Sequence, residues 1–67
     1  MKRLRELRLE NTETQLDLSV ELDFDAQEIS RYERGVVSPS LKRLITIADY
    51  YDVSIDYLVG RSDERDR

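Results

Sequence analysis

Residues 26–34 carry, in one helical register, side chains of the kind that read base-pair edges. At about 100° per residue, Gln27, Ser30, Arg31 and Arg34 share one face of a helix, with Ala26 at its margin. Ile29 and Tyr32 share the opposite, apolar face. Arg can pair with O6 and N7 of guanine, Gln with N6 and N7 of adenine, and Ala can touch a thymine methyl. An ordinary solvated face could hold the same residue types by chance. Arg34, Lys42 and Arg43 flank this stretch and could grip a phosphate backbone. The plainer alternative for Lys42 and Arg43 is a solvated first turn of the next helix, poorly placed for the helix dipole.

Other chemistries have little to work with. There is no cysteine, which excludes disulfides, thiolate nucleophiles and Cys-based zinc sites. There is no histidine, so the commonest general base and metal ligand are missing, and the serines have no imidazole to activate them. Asp23-Phe24-Asp25 lacks the glycine and the twelfth-position Glu of a calcium loop, and reads as helix capping. No glycine-rich phosphate loop is present. No catalytic role, cofactor or metal is therefore expected. No apolar run approaches the roughly 20 residues of a membrane span, and Lys2-Arg3-Leu4-Arg5 after Met1 is not a signal peptide. A cytoplasmic protein with no membrane contact is expected.

The net charge of −4 argues against indiscriminate attraction to nucleic acid. The charge is unevenly placed. Lys2, Arg3, Arg5 and Arg8 cluster at the start, six acids and no base lie between Asn11 and Ser30, and Arg31, Arg34, Lys42 and Arg43 follow. Only the fold can bring the basic groups to one surface.

The elements that must position them are short helices. Leu4, Leu7 and Arg8 share a face, which predicts a first helix over about 2–11. Thr14 is a plausible N-cap, with Asp17 three residues on, for a second helix reaching about Leu22, with Leu18, Ser19 and Leu22 inward. Asp25 caps a third helix to about Arg34, Glu28 completes a capping-box arrangement, and Gly35 closes it. Ser40 caps a fourth helix whose apolar face is Leu41, Leu44, Ile45, Ile47, Ala48 and Tyr51. Ser54 caps a short fifth helix over 55–59, ended by Gly60. Tyr32, Tyr50, Tyr51 and Tyr57 fall on apolar helix faces. Residues 61–67 are wholly polar and expected to fray. Leu16 and Val20, four apart on the second helix, form an exposed apolar stripe that is either two scattered surface residues or a contact for a protein partner.

With 67 residues this is one all-α domain of five helices, residues 1–60, plus the tail. Two of its helices meet at a three- or four-residue turn, the outline of a helix-turn-helix. Leu4-x-x-Leu7-Arg8, Thr14-Gln15-x-x-Leu18-Ser19 and Ile29-Ser30-Arg31-Tyr32-Glu33-Arg34-Gly35 occur in that order, followed by Ser38-Pro39-Ser40-Leu41-x-x-Leu44-x-x-Ile47-Ala48 and Val53-Ser54-Ile55-Asp56-Tyr57-Leu58-x-Gly60-Arg61-Ser62. Together they resemble the Cro/phage-repressor family, the xenobiotic-response-element-type helix-turn-helix regulators, over about residues 3–64.

The resemblance implies a lambda-repressor-like fold and sequence-specific binding of double-stranded operator DNA. It points Ala26, Gln27, Ser30 and Arg31 into the major groove and has Gln15 donate to a phosphate. It pairs Arg8 with Glu33, and it suggests a homodimer through some of Ile55, Tyr57, Leu58 and Val59. A prophage- or plasmid-type repressor follows, acting by occupying a promoter. The rival reading is an adaptor, antitoxin or anti-regulator that keeps the fold and binds protein, favoured by the acidic 11–30 segment and the Leu16/Val20 stripe. Three departures matter. Where the family commonly has glycine, this chain has Thr12 and Asp23, which predicts strained turns. Glu13 stands where an apolar residue is usual, and Val36-Val37 replace loop bases after Gly35.

Overall fold

The computed structural model describes residues 1–66. Five helices follow one another: α1 (Lys2–Glu10), α2 (Gln15–Leu22), α3 (Ala26–Arg34), α4 (Leu41–Tyr51) and α5 (Ile55–Leu58). The described residues form no strand. Each helix from α2 to α5 starts on a side-chain cap. Thr14 accepts from Asp17 N–H while the Asp17 carboxylate accepts from Thr14 N–H, a reciprocal box that lowers the Asp17 pKa. Ser40 and Ser54 accept from the N–H groups of Arg43 and Tyr57. Asp25 caps α3 by accepting from Gln27 N–H at 2.8 Å, but the expected box with Glu28 does not form. The Glu28 carboxylate turns instead to Tyr32 and Arg43.

The first four helices end alike. A left-handed residue follows each, directly beyond α2, α3 and α4 and one position further on, at Thr12, beyond α1; the next N–H reaches back five residues: Glu13 to Arg8, Phe24 to Ser19, Val36 to Arg31 and Val53 to Ala48. This closure satisfies carbonyls that the helix leaves without partners. Only α3 uses glycine for it, Gly35 at φ 74°; the others use Thr12, Asp23 and Asp52 at φ 55–58°. The strain expected at Thr12 and Asp23 is thus a property of the backbone. Thr12 is the costliest, because a β-branched side chain tolerates this region least. Thr12→Gly is expected to raise stability by about 1 kcal/mol, read as a higher urea midpoint at unchanged slope. A lower midpoint would mean that Thr12 carries a stabilising contact larger than its strain.

The core is formed by Leu4, Leu7, Leu18, Leu22, Phe24, Ile29, Tyr32, Ile47, Ala48, Val53, Tyr57 and Leu58. It departs from expectation in α4, where Leu41 and Ile45 are exposed and only Ile47 and Ala48 are buried. The stripe of α4 that meets the other helices is therefore narrower than its apolar composition.

Residues 61–66, expected to fray, lie against the body of the domain. Arg65 forks onto Glu10 with bonds of 2.9 and 2.7 Å, its Nε donates to the Tyr57 hydroxyl, and its carbonyl accepts from Ser54 N–H. Arg3 pairs with Asp63 at 2.7 Å and lies 4.0 Å from the centroid of the Tyr57 ring. Two guanidinium groups thus clasp Tyr57 and hold residues 61–66 against α1 and α5. Composition suggested fraying because a polar segment brings no apolar surface; here charge pairing and backbone bonds replace it. Arg67, the last residue of that tail, lies outside the described residues.

Candidate nucleic-acid interface

The third helix sits as a polar ridge on an apolar base. Ile29 and Tyr32 are buried beneath it, and Gln27, Arg31 and Arg34 project into solvent. Ala26 and Ser30 lie between, partly covered. A left-handed Asp23 and the Asp25 cap confine the link from α2 to residues 23–25, which holds α2 firmly across α3. Among the described residues the Gln27 and Arg31 side chains have no hydrogen-bond or ion-pair partner within the chain. They are available to an external acceptor or donor at no internal cost. The Arg34 Nε leans back to the Ser30 carbonyl at 3.4 Å, along its own helix.

Behind the ridge, Glu33 gathers α1, α2 and α3. Arg8 Nε donates to Glu33 Oε2 at 2.7 Å and Nη2 to Oε1 at 3.1 Å, with the side chains only 9% and 3% exposed. The third guanidinium nitrogen donates to the Glu13 carbonyl at 2.7 Å. Hydrogen bonding to Glu33 holds the Arg8 pKa above its usual value despite burial. Gln15 Nε2 also donates to Glu33 Oε1, at 3.2 Å. The amide expected to meet a phosphate is thus already oriented, with one of its two N–H donors used internally.

The basic residues are not equivalent. Lys42 is exposed and its ammonium has no partner among the described residues. Arg43 is engaged: its Nε is 3.1 Å from Glu28 Oε2, and its guanidinium lies 4.1 Å from the Phe24 ring centroid. Glu28 also accepts from the Tyr32 hydroxyl, and burial together with that carboxylate pushes the Tyr32 pKa up to about 12. An i,i+4 spacing could have revealed Glu28–Tyr32; the tie to Arg43 crosses two helices and has no local signal.

Another cluster escaped sequence reasoning. Glu13 accepts from Tyr51 at 2.8 Å and from Tyr50. Bonding to Glu13 pushes the Tyr50 pKa up to about 12, and burial with the same bond raises that of Tyr51. The departure of Glu13 from an apolar pattern was the available clue, but its partners lie 37 and 38 residues away.

The four residues expected at a two-fold contact divide sharply. Tyr57 and Leu58 belong to the core of the single chain, at 6% and 1% exposure, and α5 stops at Leu58. The core, small as it is, takes both. Ile55 is half-buried and Val59 exposed. Ile55 lines a groove of about 380 Å³ between α4 and α5 with Ile45, Ala48 and Val53, edged by Asp49 and Asp56. On α2, Leu16 and Val20 are exposed, at 64% and 72%. No metal-holding group of carboxylates exists among the described residues, and no helix there is long and apolar enough to cross a membrane.

Two helices joined at a three-residue link, the second carrying an outward polar ridge, define a helix-turn-helix domain. The chain belongs to the helix-turn-helix family, whose pattern it matches over residues 4–58. It is similar to YobD, an uncharacterized HTH-type transcriptional regulator of Bacillus subtilis (strain 168), with 34% identity over 97% of this chain and 58% of that protein. It is equally similar to the HTH-type transcriptional regulator ImmR of the same organism, 34% identical over 92% of this chain and 49% of the relative. The chain thus spans about half the length of these relatives. No solved structure gives a significant match.

Proposed function

We propose that this domain is a DNA-binding transcriptional regulator that reads an operator sequence with α3, as a repressor of prophage or plasmid type. The observation that carries this reading is the α3 ridge, where Gln27 and Arg31 stand unpartnered over a fully buried Ile29. Ala26, Gln27, Ser30 and Arg31 meet base edges in the major groove. Gln15, Arg34, Lys42 and Arg43 meet phosphates, Arg43 only with Glu28 beside it. Similarity to two transcriptional regulators supports the class. No catalytic role or cofactor enters this reading, and the site of action is the cytoplasm, with the chromosome. Selection from random duplexes tests it: an enriched motif, retained specifically and lost steeply with salt, is expected. Absence of any motif would sink it.

Two copies bind a two-fold operator, with half-sites one helical turn, roughly 34–36 Å, apart. Exposed Ile45 and Val59 and the Ile55-lined groove supply the contact, in place of the buried Tyr57 and Leu58. Sedimentation with a selected duplex should show two chains per duplex. One chain per duplex would refute the dimer.

A second reading, a protein-binding adaptor or antitoxin, is favoured by Leu16 and Val20, which stand exposed beside Asp17, Glu21 and Asp23. It calls for no salt-dependent retention of DNA and for a protein partner whose binding is lost with Leu16→Ser and Val20→Ser.

A further inference from the structure

Residue 13 is anchored from four directions. Its N–H donates to the Arg8 carbonyl at 3.1 Å, and its carbonyl accepts from Arg8 Nη1 at 2.7 Å. Its two carboxylate oxygens divide between two hydroxyls, Oε1 taking Tyr51 at 2.8 Å and Oε2 taking Tyr50. Adjacent residues of a helix point about 100° apart, so two neighbouring tyrosines rarely converge on one group. These do, with ring centroids 4.9 Å apart and planes at 77°, edge to face. A carboxylate accepting two hydroxyls makes charge-assisted bonds, about twice as strong as neutral ones. The arrangement sits directly before Thr14, the cap of α2.

We infer that Glu13, Tyr50 and Tyr51 form a clasp that positions the first turn of α2, and that the two tyrosines and Glu13 are positioning residues for the phosphate grip of that turn. This rests on the DNA reading above. The first-turn N–H groups of a helix lack intrahelical acceptors and face any anion placed there. On one side, Gln15 is tied to Glu33 and through it to Arg8. On the other, the clasp ties residue 13 to α4. The start of α2 is thus held from both flanks, and each flank has its own charge. Glu13 stands where the family resemblance calls for an apolar side chain. A polar clasp replaces the hydrophobic contact that would otherwise fix this end.

Tyr51→Phe and Glu13→Gln test it, each in the full chain, with Arg31→Ala as the control for base reading. The free protein gives the first readout. Amide hydrogen exchange at Asp17 and Leu18, whose N–H groups are bonded to Thr14, should quicken about tenfold in both variants, while the amides of 29–33 keep their wild-type rates. Binding gives the second. Affinity should fall by a similar factor for a selected duplex and a random one alike, whereas Arg31→Ala should lose mainly the selected duplex. The pair Glu13→Leu with Tyr51→Phe, which restores an apolar contact, should recover part of both losses. Unchanged exchange at Asp17 and Leu18 overturns the clasp. Faster exchange with unchanged DNA affinity, in a protein whose binding Arg31→Ala does weaken, overturns the positioning role. If the wild type binds no duplex, the DNA reading has failed and the positioning role falls with it, while exchange still decides whether the clasp exists.

Discussion

Arg8→Ala or Glu33→Ala is expected to unfold most of this domain at ordinary temperatures. Both side chains are almost wholly buried, so either deletion leaves a charge stranded away from water. Breaking such a pair costs about 3–5 kcal/mol, as much as a core of this size supplies, about 3–5 kcal/mol. After Arg8→Ala, Glu33 keeps only the Gln15 amide and the Glu13 carbonyl loses its donor. After Glu33→Ala, Arg8 keeps only that carbonyl. Glu33→Gln should be milder, because it keeps one oxygen acceptor. Urea titration of the three variants decides the matter. A loss under about 0.5 kcal/mol for both deletions, the scale of an exposed pair, would mean that the bridge contributes nothing beyond surface electrostatics.

The second large effect falls on recognition and leaves stability untouched. Arg31 is exposed and unpartnered within the chain, so Arg31→Ala should fold normally. On the selected operator it should cost about 1–3 kcal/mol and relax preference at one base pair. Lys42→Ala should weaken every sequence alike and reduce the salt slope by about one. Arg43→Ala differs from both, because removing the guanidinium also unmasks Glu28 on the recognition helix. Its loss combines a missing phosphate contact with a new repulsion, so it should exceed that of Lys42→Ala on all sequences. Titration of the three variants across salt measures these differences. Equal effects of Arg31→Ala and Lys42→Ala on selected and random duplexes would remove the distinction between reading and gripping. No effect of Arg31→Ala on affinity or preference would move the function to the protein-binding reading.

Much of this was present in local sequence. The caps at Thr14, Ser40 and Ser54, the closure at Gly35 and the two faces of α3 depend on residues within four positions of each other. Backbone geometry alone relates them, so spacing suffices. The strained turns at Thr12 and Asp23 were legible only through the family resemblance, which places glycine at both positions; the left-handed closure itself is a local event. The Arg8–Glu33 pair came from family resemblance, since nothing in composition connects residues 25 positions apart.

Tertiary structure alone decided where the remaining charges and hydroxyls went. Asp25 caps α3 as its residue type suggests, yet Glu28 leaves the helix start for Arg43, because α4 brings a guanidinium within 3.1 Å. Arg65 and Arg3 close on Tyr57, so a tail with no apolar content is held. That same packing takes Tyr57 and Leu58 into the core and leaves Ile45 and Val59 outside. Helical periodicity tells which residues share a stripe, not which half of a stripe a neighbouring helix covers. Long polar side chains add reach without direction: Glu13 could have faced solvent, and meets Tyr50 and Tyr51 only because the turn after α1 and the end of α4 arrive at the same place.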